Sequence, residues 1–176
     1  MVDKKVAIIT GAGRGLGEAV ARDLLGKGIS VVVADMNKIN IYKYKVNSQF
    51  NDSANIMSYQ VDVSKRMEVK KMFASAYERF KQIDYLINFA GINRDAPFLE
   101  MTDEDWDSVI SVHLKGTFIC CQEFVKLKSH GNGHIINVSA ACGIQGRKNG
   151  VNFCSAKAGV LAFTKCLALE LSPKIQ

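Results

Sequence analysis

The densest group of chemically suggestive residues lies near the N-terminus, in Thr10-Gly11-Ala12-Gly13-Arg14-Gly15-Leu16-Gly17. Glycines at this density let a backbone turn sharply and approach a ligand closely. A helix starting there offers unpaired N–H groups and positive potential to an anion such as a pyrophosphate. Asp35 follows 18 residues after Gly17, at the end of an apolar run. A carboxylate so placed can accept hydrogen bonds from adenosine ribose hydroxyls and repels a 2′-phosphate. A glycine-rich run alone is weak; with a strand before it, a helix after it and an acid at this offset, it implies a dinucleotide site. The acid favours NAD(H), while Arg14 and Lys38 leave NADP(H) open.

Such a loop works only if regular elements hold it. Val6 to Thr10 reads as a buried strand, Leu16 to Leu25 as a helix ending at Gly26-Lys27-Gly28, and Val31 to Ala34 as a second fully apolar strand. Strands apolar on both faces belong to parallel sheets covered by helices on both sides. The stretch Lys38 to Phe50 is the vaguest, a helix candidate without a clean amphipathic face. Ile56 to Val61 is a third strand. Ser64 is the expected N-cap of a helix carrying Val69, Met72, Phe73, Ala76 and Phe80 at helical spacing. Tyr85 to Asn88 is strand four. Thr102-Asp103-Glu104-Asp105 has the form of a capping box and opens a long helix toward Lys128. His134 to Ser139 is strand five, and Ser155 to Leu171 a last helix stopped by Pro173. Five strands alternating with helices, without repeat or linker, give an α/β fold with a doubly wound parallel sheet.

The 176 residues suit a single domain, 1–176, with enough chain for a core. Apolar residues make up 48% and charged ones 23%, the balance of a globular protein in water. No apolar run approaches the ~18 residues of a membrane span, and Val6-Ala7-Ile8-Ile9 is too short for a signal-peptide core. A cytoplasmic protein is expected, with no membrane partner. The net charge of +6 does not form a basic stripe: Lys and Arg alternate with acids, and Glu100 to Asp107 is acidic, so no nucleic-acid partner is expected. Five cysteines (Cys120, Cys121, Cys142, Cys154, Cys166) include no C-x-x-C pair. Reduced, mostly buried thiols and no metal site are expected.

Thr10-Gly11-x-x-x-Gly15-x-Gly17, then Asp62-Val63, then Asn88-Phe89-Ala90-Gly91, in this order, resemble the short-chain dehydrogenases/reductases over essentially the whole chain. Gly91 to Asp95 and Met101 to Trp106 are most similar to 3-oxoacyl-carrier-protein reductases and their 3-hydroxyacyl-CoA dehydrogenase relatives. The resemblance implies a Rossmann fold, a nicotinamide cofactor and hydride transfer between a ketone (or acyl thioester ketone) and its alcohol. It implies cofactor contacts at Gly11, Arg14, Gly15, Leu16, Gly17, Asp35, Asp62, Val63, Asn88, Ala90 and Gly91. Phe89 departs from the family's more usual second Asn.

The same resemblance marks four catalytic positions, and only one carries the family residue. Lys157 fits the family Lys, which lowers the pKa of a Tyr one helical turn earlier and also contacts the nicotinamide ribose. At that Tyr position stands Phe153, whose ring can neither give nor take a proton. Thirteen residues before it, Ala140 replaces the Ser that holds the substrate oxygen. Neighbouring Ser139 should face away on its strand. His113 occupies the Asn position, as a packed structural His or, in the sharper alternative, a general acid. The cofactor half is intact and both hydroxyls of the reaction centre are gone, so weak turnover or none is expected. A non-catalytic nucleotide-binding partner of an active relative is the other class. Family chains run on past Ile175-Gln176, where a sixth strand is expected, so the chain is short at its C-terminus and could be a fragment of a longer enzyme. Homodimer or tetramer contacts are implied through the helices 102–128 and 155–171.

Overall fold

The computed structural model describes residues 5–44, 53–128 and 132–176. Its sheet has five parallel strands: β1 (Val6–Thr10), β2 (Ser30–Asp35), β3 (Ile56–Gln60), β4 (Tyr85–Asn88) and β5 (His134–Asn137), in the order β3-β2-β1-β4-β5. The order reverses at β1, whose C-terminal end is where the chain leaves for opposite halves of the sheet. Such a switch point opens a crevice at the carboxyl ends of the strands.

Side-chain alternation along the strands builds a core on each face. Ile8, Val32 and Leu86 point to one side, packing with Val69, Met72 and Phe73 of α2 (Arg66–Phe80) and Ile119 and Phe124 of α4 (Gly116–Leu127). Ala7, Ile9, Val31, Val33 and Ile87 point to the other, with Ala21 and Leu25 of α1 (Gly15–Gly26). Period-two alternation with both faces buried is why these strands read as unbroken apolar runs.

The long helix expected from Thr102 exists in three pieces. α3 (Asp103–Ile110) is followed by a π turn over Ser111–Lys115 and then by α4. The capping box is present: Thr102 Oγ1 accepts from Asp105 N at 3.1 Å, and the Asp105 carboxylate accepts from Thr102 N at 3.4 Å. A short α5 (Cys142–Gln145) precedes α6 (Val151–Leu171), which starts one turn earlier than expected.

Three other expectations are corrected. Ser64 is not the cap of α2: its hydroxyl donates to Asp62 Oδ1 at 2.7 Å, the helix starts at Arg66, and Lys65 is the N-cap. Asp62, a better acceptor and two residues away, claims the hydroxyl first. β5 ends at Asn137 instead of Ser139. In Lys38 to Phe50 the described part forms a 3-10 turn, Ile41–Tyr44, while 45–50 lie outside the described residues. At the outer edge of β5, Gly133 bridges to Ile175 in parallel, and Ile135 N donates to Gln176 O at 2.7 Å.

Candidate active site

A cavity of about 700 Å³ opens at the carboxyl ends of β1, β2, β4 and β5. Its walls include Gly11, Arg14, Gly15, Leu16, Gly17, Asp35, Asp62, Val63, Ala90, Gly91, His113, Ala140, Phe153 and Lys157. The fold thus gathers every catalytic and cofactor position implied by the family resemblance except Asn88, and Lys38 also lies outside the lining. A second cavity of about 680 Å³ adjoins it, sharing Arg14, Met36, Asp62, Ile92, Asn93 and Val112.

At one end lies the glycine-rich turn. Gly11 sits at φ 65°, and a Cβ there would lie 2.7 Å from Ala90 N and 2.8 Å from Ala90 Cα, so only glycine lets β1 and β4 deliver their loops together. Thr10 Oγ1 reinforces this join by accepting from Ala90 N at 3.2 Å. α1 begins with no side-chain cap. Its first N–H groups, on Gly15, Leu16 and Gly17, belong to residues that line the cavity and suit an anion. Asp35, at the tip of β2, accepts from Gly13 N (2.9 Å) through Oδ2 and from Asn37 N (3.0 Å) through Oδ1. Asn37 Nδ2 also donates to Oδ1, at 3.3 Å, so it is Oδ2 that keeps a lone pair for a hydroxyl donor. An uncapped helix N-terminus that can donate N–H groups to a pyrophosphate, and a carboxylate that can accept from ribose hydroxyls, stand at one end of one cavity, so the residues present fit a dinucleotide.

The loop is buttressed by residues the sequence left obscure. Tyr44 is buried and its hydroxyl donates to Ala12 O; burial pushes its pKa up to about 12. Lys43 Nζ donates to Gly13 O and to Glu18 Oε2 at 2.8 Å. The bonds from Lys43 and Arg22 hold the Glu18 carboxyl below its usual pKa. The only signal for this brace was an aromatic and a cation in a short turn, too little for a periodicity argument.

Asn88 serves the scaffold. It is buried under the strands, where its Nδ2 donates to Asn137 Oδ1 at 2.8 Å, while Asn137 Nδ2 donates to Thr164 Oγ1 at 3.0 Å. The chain of amides ties β4, β5 and α6 together. Asp62 makes the turn after β3 by accepting from Ser64 N at 2.9 Å.

The other end of the cavity is aromatic and cationic. The Phe153 ring meets His113 edge-on with centroids 5.0 Å apart. Lys157 Nζ stands 5.6 Å from the Phe153 centroid and Arg147 Cζ 4.9 Å from it. Asp95 binds Arg147 with both oxygens at 2.7 and 2.8 Å. Lys157 is only 7% exposed and donates to Val138 O at 2.7 Å. Its burial lowers its pKa, and Cys142 works in the opposite sense. Ser139 lies past the end of β5 and does line the cavity, so strand alternation does not turn it away. Its hydroxyl is nonetheless committed, donating to Lys157 O at 2.9 Å.

His113 sits in the π turn and is 4% exposed. Its Nε2 lies 3.0 Å from Ile92 N and 2.8 Å from Ile92 O; a neutral ring makes one of these bonds according to its tautomer. Nδ1 has no partner. Burial lowers the pKa to about 4, so the ring is neutral at pH 7 and holds the Ile92 backbone. Sequence reasoning missed Asn152, fully buried, whose Nδ2 donates to Arg94 O (2.8 Å) and Asp105 O (3.2 Å), tying the start of α6 to α3.

The short chain dehydrogenase family model matches residues 5–176. The chain belongs to that oxidoreductase family. Among its relatives, a 3-oxoacyl-[acyl-carrier-protein] reductase of Synechocystis is 36% identical over 171 residues, 97% of this chain and 69% of the relative. The corresponding reductase of Thermotoga maritima is 36% identical over 172 residues, 97% of this chain and 70% of the relative. The short-chain reductase protein NovJ of Streptomyces niveus is 36% identical over 171 residues, 97% of this chain and 64% of the relative. Among the described residues, no helix is long and apolar enough to cross a membrane. The expectation of mostly buried thiols is corrected: Cys120 and Cys121 are buried, Cys142 and Cys154 are half-buried and Cys166 is exposed.

Proposed function

We propose that residues 1–176 form one dinucleotide-binding domain that holds NAD(H) in preference to NADP(H) and catalyses ketone–alcohol interconversion slowly or not at all. The observation that carries the reading is the contrast between the two ends of the cavity. Asp35 and the uncapped start of α1 form a complete binding end, whereas the reaction end presents the Phe153 ring, the Ala140 methyl and a neutral His113. When bound, the dinucleotide supplies or accepts a hydride. The chain must then place a proton on the developing alkoxide, and Lys157 Nζ, already donating to Val138 O, carries the ionisable proton there. The 3-oxoacyl reductases among the relatives make an acyl thioester ketone the substrate class to test first.

The missing hydroxyls equally suit a second reading, a nucleotide-binding subunit without chemistry of its own. Exposed apolar residues support pairing with a copy through helices 102–128 and 155–171: Trp106, Phe118 and Leu169 on these helices are exposed. Residence in the cytoplasm belongs to the same reading.

Fluorescence titration with NADH and NADPH tests the binding end. Saturable NADH binding, tighter than NADPH binding, is expected. Asp35→Asn keeps an acceptor for Gly13 N–H but removes the charge, so it should weaken NADH and strengthen NADPH. Tighter binding of NADPH to the unaltered chain would overturn the preference, and no binding of either would overturn the site.

A further inference from the structure

The N–H and C=O groups of the glycine-rich turn are held by different partners. Ala12 N donates to Ala34 O at 3.0 Å and Gly13 N donates to Asp35 Oδ2 at 2.9 Å, which fastens the turn to the tip of β2. A Cβ at Gly13 would lie 2.5 Å from Asp35 Oδ2, so turn and carboxylate meet without slack. The carbonyl oxygens are taken by the 3-10 turn Ile41–Tyr44: Tyr44 Oη donates to Ala12 O and Lys43 Nζ to Gly13 O. Ala12 O and Gly13 N–H are the two ends of one trans peptide, planar and pointing in opposite directions. A hydroxyl on that oxygen therefore aims the N–H at Asp35, and by polarising the group makes it a stronger donor. Ala12 and Tyr44 are both buried, so bulk water does not replace the phenol. The Tyr44 ring is itself pinned, with Lys43 Nζ 5.2 Å and Arg22 Cζ 5.8 Å from its centroid and both cations bonded to Glu18. Tyr44 and Lys43 stand outside the cavity lining, so whatever they do to a ligand passes through the backbone.

We infer that Tyr44 is a positioning residue that sets the preference between NADH and NADPH, acting on Asp35 through the Ala12–Gly13 peptide. The inference rests on the NAD(H) preference proposed above. Oδ2, the oxygen with a lone pair left for a ribose hydroxyl, is the one that Gly13 N–H holds. Without the phenol, Ala12 O loses its hydroxyl donor, the peptide is free to turn, and its N–H leaves Asp35. The carboxylate then no longer stands where a ribose hydroxyl meets it, so NADH loses a bond. NADPH loses nothing, because its 2′-phosphate is repelled by that carboxylate.

The test is fluorescence titration of the full chain with NADH and NADPH, beside a thermal melt that shows each variant folded. Tyr44→Phe keeps the ring and removes the donor. It should weaken NADH about threefold to tenfold, the worth of one hydrogen bond, and leave NADPH unchanged or tighter. In an Asp35→Ala chain the same change should cost NADH nothing further, since the residue it acts through is gone. Gly13→Ala reaches the joint from the other side, where its Cβ would crowd Asp35 Oδ2, and should lower the NADH-over-NADPH preference in the same direction with Tyr44 intact. Equal loss of both cofactors in Tyr44→Phe, as a purely structural role would give, or an unchanged preference in either single variant, would overturn the inference. So would a full cost of Tyr44→Phe in the Asp35→Ala chain. Tighter NADPH binding to the unaltered chain is a different failure: it overturns the proposed preference, and the inference falls with it.

Discussion

Restoring both missing hydroxyls, with Ala140→Ser and Phe153→Tyr together, tests whether the reaction end is otherwise intact. The Phe153 centroid lies 5.6 Å from Lys157 Nζ. A phenolate charge at about that distance, in an effective dielectric of ~20, gains ~3 kcal/mol from the ammonium. That equals ~2 pK units and brings a tyrosine from ~10 toward ~8, within reach of proton transfer near neutral pH. Arg147 acts in the same sense but is largely neutralised by its two bonds to Asp95. A positioned general acid contributes ~10²- to 10⁴-fold, and an oxyanion donor ~10²- to 10³-fold when independent. NADH oxidation with an acetoacetyl thioester should therefore rise by at least ~10²-fold in the double variant. Phe153→Tyr alone should recover only part of this, and NADH affinity should stay the same. A double variant that binds NADH normally and is no faster than the unaltered chain would refute the reasoning, because the missing hydroxyls would not then be the limit. It would leave the nucleotide-binding subunit as the better reading.

Two further outcomes rest on the scaffold. His113, depressed by burial from 6.5 to about 4, favours its neutral form in the folded chain. Its contribution is complete above pH 6.5 and is lost as pH falls toward 4, because the unfolded chain takes up a proton that the folded chain refuses; the span amounts to ~3 kcal/mol. Urea unfolding between pH 7 and 4 should show that much less pH dependence in His113→Asn, and equal slopes would contradict the assignment. Gly11→Ala puts a Cβ 2.7 Å from Ala90 N at φ 65°. Strain of ~1 to 2 kcal/mol plus overpacking of ~1 to 3 should lower Tm by roughly 5 to 15 °C in a thermal melt, and an unchanged Tm would contradict the close approach.

The strands were legible because Ile8, Val32 and Leu86 face one layer while Ala7, Ile9 and Val33 face the other, so apolar runs marked them directly. The gathering of the glycine turn and Asp35 at one end of the cavity was legible because Gly11 to Gly17 and Asp35 sit at fixed offsets in one strand–turn–helix unit. What could not be read were features set by side-chain competition or by long-range packing. Ser64 looked like a helix cap until Asp62 took its hydroxyl. The brace of Lys43 and Tyr44 on the glycine turn spans 30 and 32 residues and has no periodic trace. Asn152 sits among apolar neighbours, and its partners at Arg94 and Asp105 are 58 and 47 residues away. His113 stood out by type, but its clasp on the Ile92 backbone depends on where the π turn sets it down.

That turn, Ser111–Lys115, amounts to one residue more than an α-helix would use over the same rise. At 3.6 residues per turn, one residue is ~100° of rotation, so the faces of α3 and α4 are differently phased across the π turn. Val109 can point inward from the first half while Ile119 and Phe124 point inward from the second. The helix is therefore counted more strictly than it is spelled. Substitutions that keep size and polarity should be absorbed, whereas deleting any one residue between Asp103 and Gly116 would either swing Val109 out of the core or take His113 away from Ile92. In such a segment, reading frame against the core outweighs composition.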